Sequence, residues 1–436
     1  MFCAPPTPKN QIKREEIMNS TFKEKLTERF FRYSEIPSQS DPANPVIPSS
    51  QGQWEMAELL REELESLGLQ EVTVDQHGIV YGHLPSRLSP GHGPVHAVGW
   101  CCHMDTVAVG LSPEVHPLII RNYQGGDILQ NPEKQLYIRV AEHPELLDYV
   151  GQDIIVSDGT SVLGADNKAA VANIMTALEI LCEDPSREHG DIYVAFTPDE
   201  ETGLRGAKLM DFTKFPVDFA YTIDCCQQGE VIYETFNAGE AVLNVTGVSA
   251  HPMSAKNVLV NACTVMRDFA DLLDKAEVPE HTELREGYLW VSEMYSDGVT
   301  GKMIIDIRDH DRAKYQYRKR VLSEALEMVR LKYPRAEITL DVKDIYGNIL
   351  DYVTEENREC VDLLLKAVEE LGIEPKIKAM RGGTDGSFIS TKGIPTPNYF
   401  TGALNFHSSQ EFLPLDAFEN ALKVTLKLVE LIASPR

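Results

Sequence analysis

Four short segments of the sequence carry side chains that can bind metal ions or move protons. They are His103-Met104-Asp105, Gly164-Ala165-Asp166, Asp199-Glu200-Glu201 and Ile223-Asp224. Three of them directly follow an apolar run that is typical of a strand. Each segment alone is also typical of a turn, a helix cap or a solvated loop. Together they offer imidazole nitrogen and carboxylate oxygen, which are ligands that divalent transition metals accept.

A centre of two metal ions would balance the charges of this set. The candidate ligands are His103, Asp166, Glu201, Asp224 and, near the C-terminus, His407. Three carboxylates and one bridging hydroxide match the charge of two divalent cations. Two ions that share a carboxylate and a water form a strong hydrolytic site. The pattern therefore predicts metal-assisted hydrolysis.

The elements that would position these residues follow an α/β order. The predicted strands include 97–102, 191–196 and 219–223, and the predicted helices include one from about 51 to Gly68, 167–181, 355–371 and 415–432. This alternation is typical of an open, mostly parallel sheet. In such sheets the carboxyl ends of the strands meet at a crevice that binds ligands.

The middle of the chain has a different order, β-α-β-β-α-β, which is the ferredoxin-like split motif. It predicts a compact α+β domain at 237–348, inserted into a catalytic domain at 21–236 and 349–436. Residues 1–20 are predicted to form a loose tail.

Composition excludes several classes of partner. The chain has 436 residues, 43% of them apolar, and a formal net charge of −26. Such acidity repels nucleic acids and anionic membranes, so neither is an expected partner. We find no apolar window of 18 residues and no secretory signal. Eight cysteines without a C-x-x-C motif suit a reducing compartment, which predicts a cytoplasmic location.

Nine segments occur in an order that is specific for one family. They are HMDT, LGADNKAA, AFTPDEETG, AYTID, FNAGEA, HPMSAK, IIDIRDHDR, RGGTDGS and FTGALNFHSSQEF. This ensemble resembles the peptidase T family, the two-zinc tripeptide aminopeptidases among the aminoacylase and carboxypeptidase-like metallopeptidases. The resemblance implies two Zn²⁺ per chain, with Co²⁺ or Mn²⁺ as substitutes, and a short peptide as substrate. It implies that the inserted domain is a lid, and many relatives pair through this domain, so a homodimer is a candidate state.

The resemblance also implies a role for each candidate residue at the metals. His103 and Asp224 resemble the ligands of the first zinc, Glu201 and His407 those of the second, and Asp166 the bridging carboxylate. The same segment of the family implies a cis peptide bond after Asp166.

Two acids and four lid or loop residues complete the implied site. Asp105 resembles the acid that orients a metal-bound histidine, and Glu200 the general base. The residues that resemble substrate-binding groups are His251 near the scissile carbonyl oxygen, Arg308 at the peptide carboxylate, and Arg381 and Asn237, for which a purely structural role is an equal alternative.

Several residues depart from the family pattern close to the site. They are Asn167, Met253, Cys225-Cys226 and Ser408-Ser409-Gln410. None of these departures removes a predicted ligand, but they leave the substrate preference open. The alternatives are a dipeptidase, an N-acyl-amino-acid amidohydrolase, or a peptide-binding protein without catalysis. An intact Glu200 disfavours the last of these.

Overall fold

The structure of the chain is a computed structural model that describes residues 21–434. The predicted tail at 1–20 lies outside this range. The described residues form two compact units, the first with 21–231, 359–377 and 397–434 and the second with 232–358 and 378–396. The segment 378–396, which carries Arg381, therefore belongs to the second unit, whereas the sequence alone assigns it to the catalytic domain.

Helices and short strands alternate over most of the chain. The helices are α1 (Phe22–Ser34), α2 (Gln51–Leu67), α3 (Ala165–Glu183), α4 (Ala262–Ala270), α5 (Arg312–Lys332), α6 (Glu359–Glu370), α7 (Asp385–Ser390) and α8 (Leu415–Ala433). The strands are β1 (Gln70–Val74), β2 (Val80–Leu84), β3 (Val98–His103), β4 (Pro117–Ile120), β5 (Ile128–Asn131), β6 (Leu136–Ile138), β7 (Ile154–Ser157), β8 (Ile192–Thr197), β9 (Phe219–Cys225), β10 (Glu230–Glu234), β11 (Asn237–Thr246), β12 (Tyr288–Ser296), β13 (Thr300–Asp309), β14 (Glu337–Tyr346), β15 (Lys376–Ala379), β16 (Asn398–Phe400) and β17 (Phe412–Pro414).

An eight-stranded sheet has the strand order β1-β2-β8-β3-β9-β16-β10-β15, and its first six strands lie within the first unit. Its middle strands β8, β3, β9 and β16 run parallel to one another, whereas β2 pairs with β8 antiparallel. Every residue of β3 is buried, as expected for a parallel strand that is covered on both faces. The predicted α/β fold with a mostly parallel central sheet is confirmed.

The second unit contains a four-stranded antiparallel sheet in the order β12-β13-β11-β14. Helix α4 connects β11 to β12, and α5 connects β13 to β14. This is the order of a split β-α-β motif. Its buried core joins the sheet to both helices through side chains such as Leu243, Met266, Ile305 and Leu322.

Asparagine side chains bind main-chain N–H groups at the start of two helices, and helix α6 begins at Glu359 rather than at the predicted 355. Helix α4 starts after Asn261, whose Oδ1 accepts the Cys263 N–H at 2.8 Å. Before α6, Asn357 Oδ1 accepts the Thr354 N–H at 2.7 Å in a turn. Asparagine favours such local bonds over helix interiors.

Within residues 21–434, none of the helices combines the length and the apolar character needed to cross a membrane.

Candidate metal centre

The carboxylate of Asp166 lies between two imidazoles. Its Oδ1 is 3.0 Å from Nε2 of His103, and its Oδ2 is 3.0 Å from Nε2 of His407. The Asp166 side chain is buried, so these contacts form away from bulk water. A carboxylate that presents one oxygen to each of two imidazoles has the geometry of a bridging ligand.

Each of the two imidazoles beside Asp166 also lies close to a second carboxylate. Glu201 Oε1 lies 3.0 Å from His407 Nε2, and Asp224 Oδ1 lies 3.9 Å from His103 Nε2. Ligand atoms of His103, Asp166 and Glu201 all lie within 4.8 Å of one another. The structure thus brings together all five side chains that the sequence proposes as ligands.

The donor atoms of this cluster suit metal ions. Glu201 Oε1 is buried and accepts no well-directed hydrogen bond from the described residues. Such an oxygen is costly to bury unless a cation or a donor satisfies it. Nitrogen and oxygen donors in this number fit zinc and its neighbours among the first-row metals.

The charges of the cluster shift its titrating groups. A hydrogen bond to Asp166 and the nearby carboxylate of Glu201 raise the pKa of His407 to about 11. Burial opposes the charged form of His103, but hydrogen bonds to Asp105 and Asp166 outweigh it and raise its pKa. Burial and the negative charge of Asp166 raise the pKa of Glu201 to about 7. The raised pKa values of both imidazoles follow from the negative charge of the carboxylates around them.

Parallel pairing explains why distant ligands meet. Strand β3 pairs in parallel with both β8 and β9, and His103 at the end of β3 lies opposite Thr197 at the end of β8. Glu201 follows β8 by a few residues, and Asp224 is the second-last residue of β9. The carboxyl ends of three adjacent strands therefore deliver three ligands to one edge of the sheet.

The segment that carries Asp166 enters helix α3 through irregular backbone. Gly164 has a φ of 73°, a conformation that favours glycine. Asp166 and Asn167 have non-helical backbone angles within the first turn of α3. The peptide bond between them is cis, which confirms the sequence prediction.

Asp105 connects a metal ligand to the acidic turn after β8. The His103 Nδ1 forms a hydrogen bond with the Asp105 carbonyl oxygen at 3.1 Å and lies 3.4 Å from Oδ1. Asp105 also accepts the Glu200 N–H through Oδ1 at 3.0 Å. Its Oδ2 accepts the Glu201 N–H at 3.2 Å. Asp105 therefore orients the His103 ring and also holds the main chain of both glutamates.

Asp199 is a buried acid of this turn, and the sequence alone does not predict its structural role. Its φ of 54° is uncommon for a residue with a side chain. Its carboxylate accepts the Ser49 N–H and the Gln53 Nε2–H, each at 2.9 Å, and its own N–H donates to Gln53 Oε1 at 2.9 Å. These bonds join the turn to the start of helix α2 and fix the conformation that precedes Glu200.

The proposed substrate-binding residues all lie in the second unit. His251 is exposed, and its Nδ1 accepts the Met253 N–H at 3.2 Å. Arg308 Nη1 donates to the carbonyl oxygens of Gly239 and Ile307 at 2.8 and 3.0 Å. Its Nη2 donates to Asp306 Oδ1 at 2.8 Å. These bonds hold the guanidinium in one orientation.

Asn237 and Arg381 are engaged in the framework of the same unit. Asn237 Nδ2 donates to the His310 carbonyl oxygen at 3.2 Å and to Asp351 Oδ2 at 3.0 Å. Arg381 Nη1 donates to the Glu286 carbonyl oxygen at 2.6 Å, and its guanidinium lies 5.2 Å from the centre of the Phe236 ring. These contacts support the structural alternative for both residues.

Comparison with known proteins places the chain in a family. Residues 164–431 match Peptidase family M20/M25/M40. The chain is 51% identical over 409 residues to a peptidase T-like protein of Yersinia pestis, covering 94% of this chain and 98% of that protein. It is 42% identical over 411 residues to peptidase T of Fusobacterium nucleatum, again covering 94% and 98%.

Solved structures share the fold. The aminopeptidase PepT of Bacillus cereus matches with a TM-score of 0.72 and 21% identity, covering 94% of this chain and 99% of that one. A dinuclear metal-binding peptidase of the M20 family from Bacillus subtilis matches with a TM-score of 0.61 and 12% identity, covering 95% and 99%. The chain belongs to peptidase family M20/M25/M40 and is a metallopeptidase. Its predicted resemblance to peptidase T is confirmed.

Proposed function

We propose that this chain is a two-zinc aminopeptidase that removes the N-terminal residue from short peptides, tripeptides above all. The observation that carries this proposal is the Asp166 carboxylate, with an imidazole Nε2 3.0 Å from each of its oxygens. The extensive identity to peptidase T of Fusobacterium nucleatum supports the choice of substrate.

Five side chains would hold the two ions. His103, Asp166 and Asp224 would bind one ion, and Asp166, Glu201 and His407 the other. When bound, the ions supply Lewis-acid polarisation of a peptide carbonyl and lower the pKa of a water molecule. One imidazole with carboxylate oxygens at each ion suits zinc, while Co²⁺ and Mn²⁺ accept the same donors.

Glu200 would act as the general base. Its main chain is held by Asp105, and its side chain is buried beside the ligand Glu201. A carboxylate that does not ligate a metal can accept a proton from the attacking water and later donate it to the leaving amine. The neighbouring glutamates would thus divide the metal and proton roles.

His251 would donate a hydrogen bond to the oxyanion that develops on the scissile carbonyl. Because its Nδ1 accepts the Met253 N–H, a neutral ring carries its proton on Nε2. The Nε2–H group is then a donor of the type that stabilises an oxyanion. Arg308 would bind the C-terminal carboxylate of the peptide, and Asn237 and Arg381 would support the substrate-binding residues.

A substrate profile tests the proposed function. We expect the purified protein to release N-terminal residues from tripeptides far faster than it hydrolyses dipeptides, tetrapeptides or N-acyl amino acids. Preferred turnover of dipeptides or acylated amino acids would identify it instead as one of the related hydrolases. Binding of peptides without any turnover would overturn the enzymatic assignment.

Metal removal is expected to abolish activity and to lower the midpoint of thermal unfolding. The reason is that a ligand which binds only the folded state stabilises it, and the buried carboxylates lose their counter-charge. Titration of the metal-free protein with Zn²⁺ should restore activity when two equivalents are bound per chain. The bound zinc is measured by elemental analysis. Full activity at one equivalent would contradict the two-ion proposal. Parallel titrations with Mg²⁺, which prefers oxygen ligands, serve as the control.

The cytoplasmic location and the homodimer remain predictions. Cell fractionation tests the first, and light scattering on the purified chain tests the second.

A further inference from the structure

Glu411 is a buried carboxylate outside the set of proposed ligands. It is 1% exposed and lies four residues after His407, immediately before β17. Its Oε2 accepts the Gly164 N–H at 2.8 Å, and its Oε1 accepts the Asp166 N–H at 3.1 Å. Both oxygens therefore bind the main chain of the segment that carries the bridging carboxylate.

These bonds replace partners that the helix itself does not provide. The first N–H groups of any helix have no acceptor within that helix. Gly164, the N-terminal cap residue of α3, has no side chain that could act as an acceptor, and Asp166 leaves the helical conformation. A carboxylate from a distant loop accepts these N–H groups instead, so the position of Asp166 depends on Glu411.

The same residue is tied to the loop that carries His407. The Glu411 N–H donates to the Ser408 carbonyl oxygen at 3.3 Å. The next residue, Phe412, exchanges two main-chain hydrogen bonds with Leu404, at 2.9 and 3.1 Å, which close the loop. His407 has a φ of 61° within this closed loop. The distance between Glu411 and His407 is therefore set by a short and well-bonded piece of chain.

We propose that Glu411 is a positioning residue that sets the spacing between His407 and Asp166, and through it the affinity of the second metal site. His407 Nε2 and Asp166 Oδ2 lie 3.0 Å apart although they come from segments 241 residues apart in the sequence. Glu411 bonds to one of these segments and belongs to the other. The inference rests on the proposed two-ion site and adds the residue that aligns its two halves.

The charge and the length of this side chain both matter to the argument. Glutamine keeps the length, but its amide group would turn an N–H toward a main-chain N–H, so that one of the two acceptors is lost. Aspartate keeps both oxygens but is shorter by one methylene. Each change should move the Asp166 segment relative to His407 and leave every proposed ligand in place.

The test is a zinc titration of the metal-free Glu411→Gln protein against a chromophoric chelator. Loss of a residue that orients a metal ligand commonly weakens metal affinity by about 10–100-fold. We expect the larger loss for one of the two zinc equivalents and a smaller change for the other, because Asp166 is proposed to bridge both ions while His407 binds only one. Glu179→Gln is the matched control, because Glu179 is a largely buried carboxylate that pairs with Lys25 and Arg29 and should leave both affinities unchanged.

Wild-type affinity for both equivalents, or an equal loss for both, would overturn the proposal. If Glu411→Gln does not fold, Glu411→Asp is titrated and judged by the same outcomes. The readout is separate from catalysis. A wild-type chain that binds two zinc ions but hydrolyses no peptide contradicts the proposed function and leaves the role of Glu411 to be decided by the titration. A wild-type chain that binds fewer than two contradicts both.

Discussion

Glu200→Gln is expected to abolish turnover while the metal content stays at that of the wild-type protein. The amide has the size of the carboxylate but cannot accept the proton of the attacking water. Loss of a general base costs on the order of 10²–10⁴ in rate. The bond that holds this turn to Asp105 comes from the main-chain N–H of Glu200, so the substitution leaves it intact.

The neighbouring variant Glu201→Gln is the matched control for this result. Both changes remove one carboxylate from the same turn, but Glu201 is a proposed ligand, so its variant should lose metal as well as activity. The measurements are kcat on a tripeptide and zinc per chain by elemental analysis. Near wild-type turnover of Glu200→Gln would show that the general base is another residue.

Arg308→Ala is expected to impair hydrolysis of tripeptides that have a free C-terminal carboxylate. An arginine has five N–H groups, and three of those of Arg308 donate hydrogen bonds to the described residues of the chain. The other two are available to bind a ligand. The bonds to Gly239, Ile307 and Asp306 also fix the guanidinium before any substrate binds. Loss of a charged hydrogen bond costs about 1.5–3 kcal/mol, which should appear in kcat/KM.

The same tripeptides amidated at the C-terminus distinguish loss of carboxylate recognition from general damage to the protein. They should be poor substrates of the wild-type protein and lose little more in Arg308→Ala. Arg381→Ala is the control, because Arg381 binds the carbonyl oxygen of Glu286 and contacts Phe236, so its loss should affect both substrates alike. Equal losses on acid and amide in Arg308→Ala would falsify the carboxylate role of Arg308.

Much of the fold follows from local patterns in the chain. Helix α2 ends at Leu67 and is capped by Gly68, as its apolar period and the glycine predict, and this glycine has a φ of 84°. Strand β8 is predicted by the apolar run before the acidic turn. The order of elements in the second unit is predicted by the alternation of helical and strand-like patterns of apolar residues. Short strands such as β4, β7 and β17 are not predictable in this way, because three or four residues carry too little periodicity.

The five proposed ligands were predictable because their residue types are uncommon at the ends of apolar strands and because the segments occur in a family-specific order. Their roles remain predictions to be tested. Asp199 and Glu411 were not predictable, since a buried acid that binds main-chain N–H groups has the same sequence signature as an acid in a solvated turn. Their partners, Ser49 and Gly164, lie 150 and 247 residues away along the chain.

Residue types and apolar runs therefore indicate which chemical groups are available and which strand ends carry them. The tertiary structure alone decided how those groups are held. Parallel pairing of β3 with β8 and β9 brings His103, Glu201 and Asp224 to one edge of the sheet. The 3.0 Å distance between His407 and Asp166 depends instead on a contact between the loop of His407 and the start of α3. The buried carboxylate of Glu411 forms this contact. Strand periodicity is a local property of the chain, whereas such a contact exists only after distant segments have packed together.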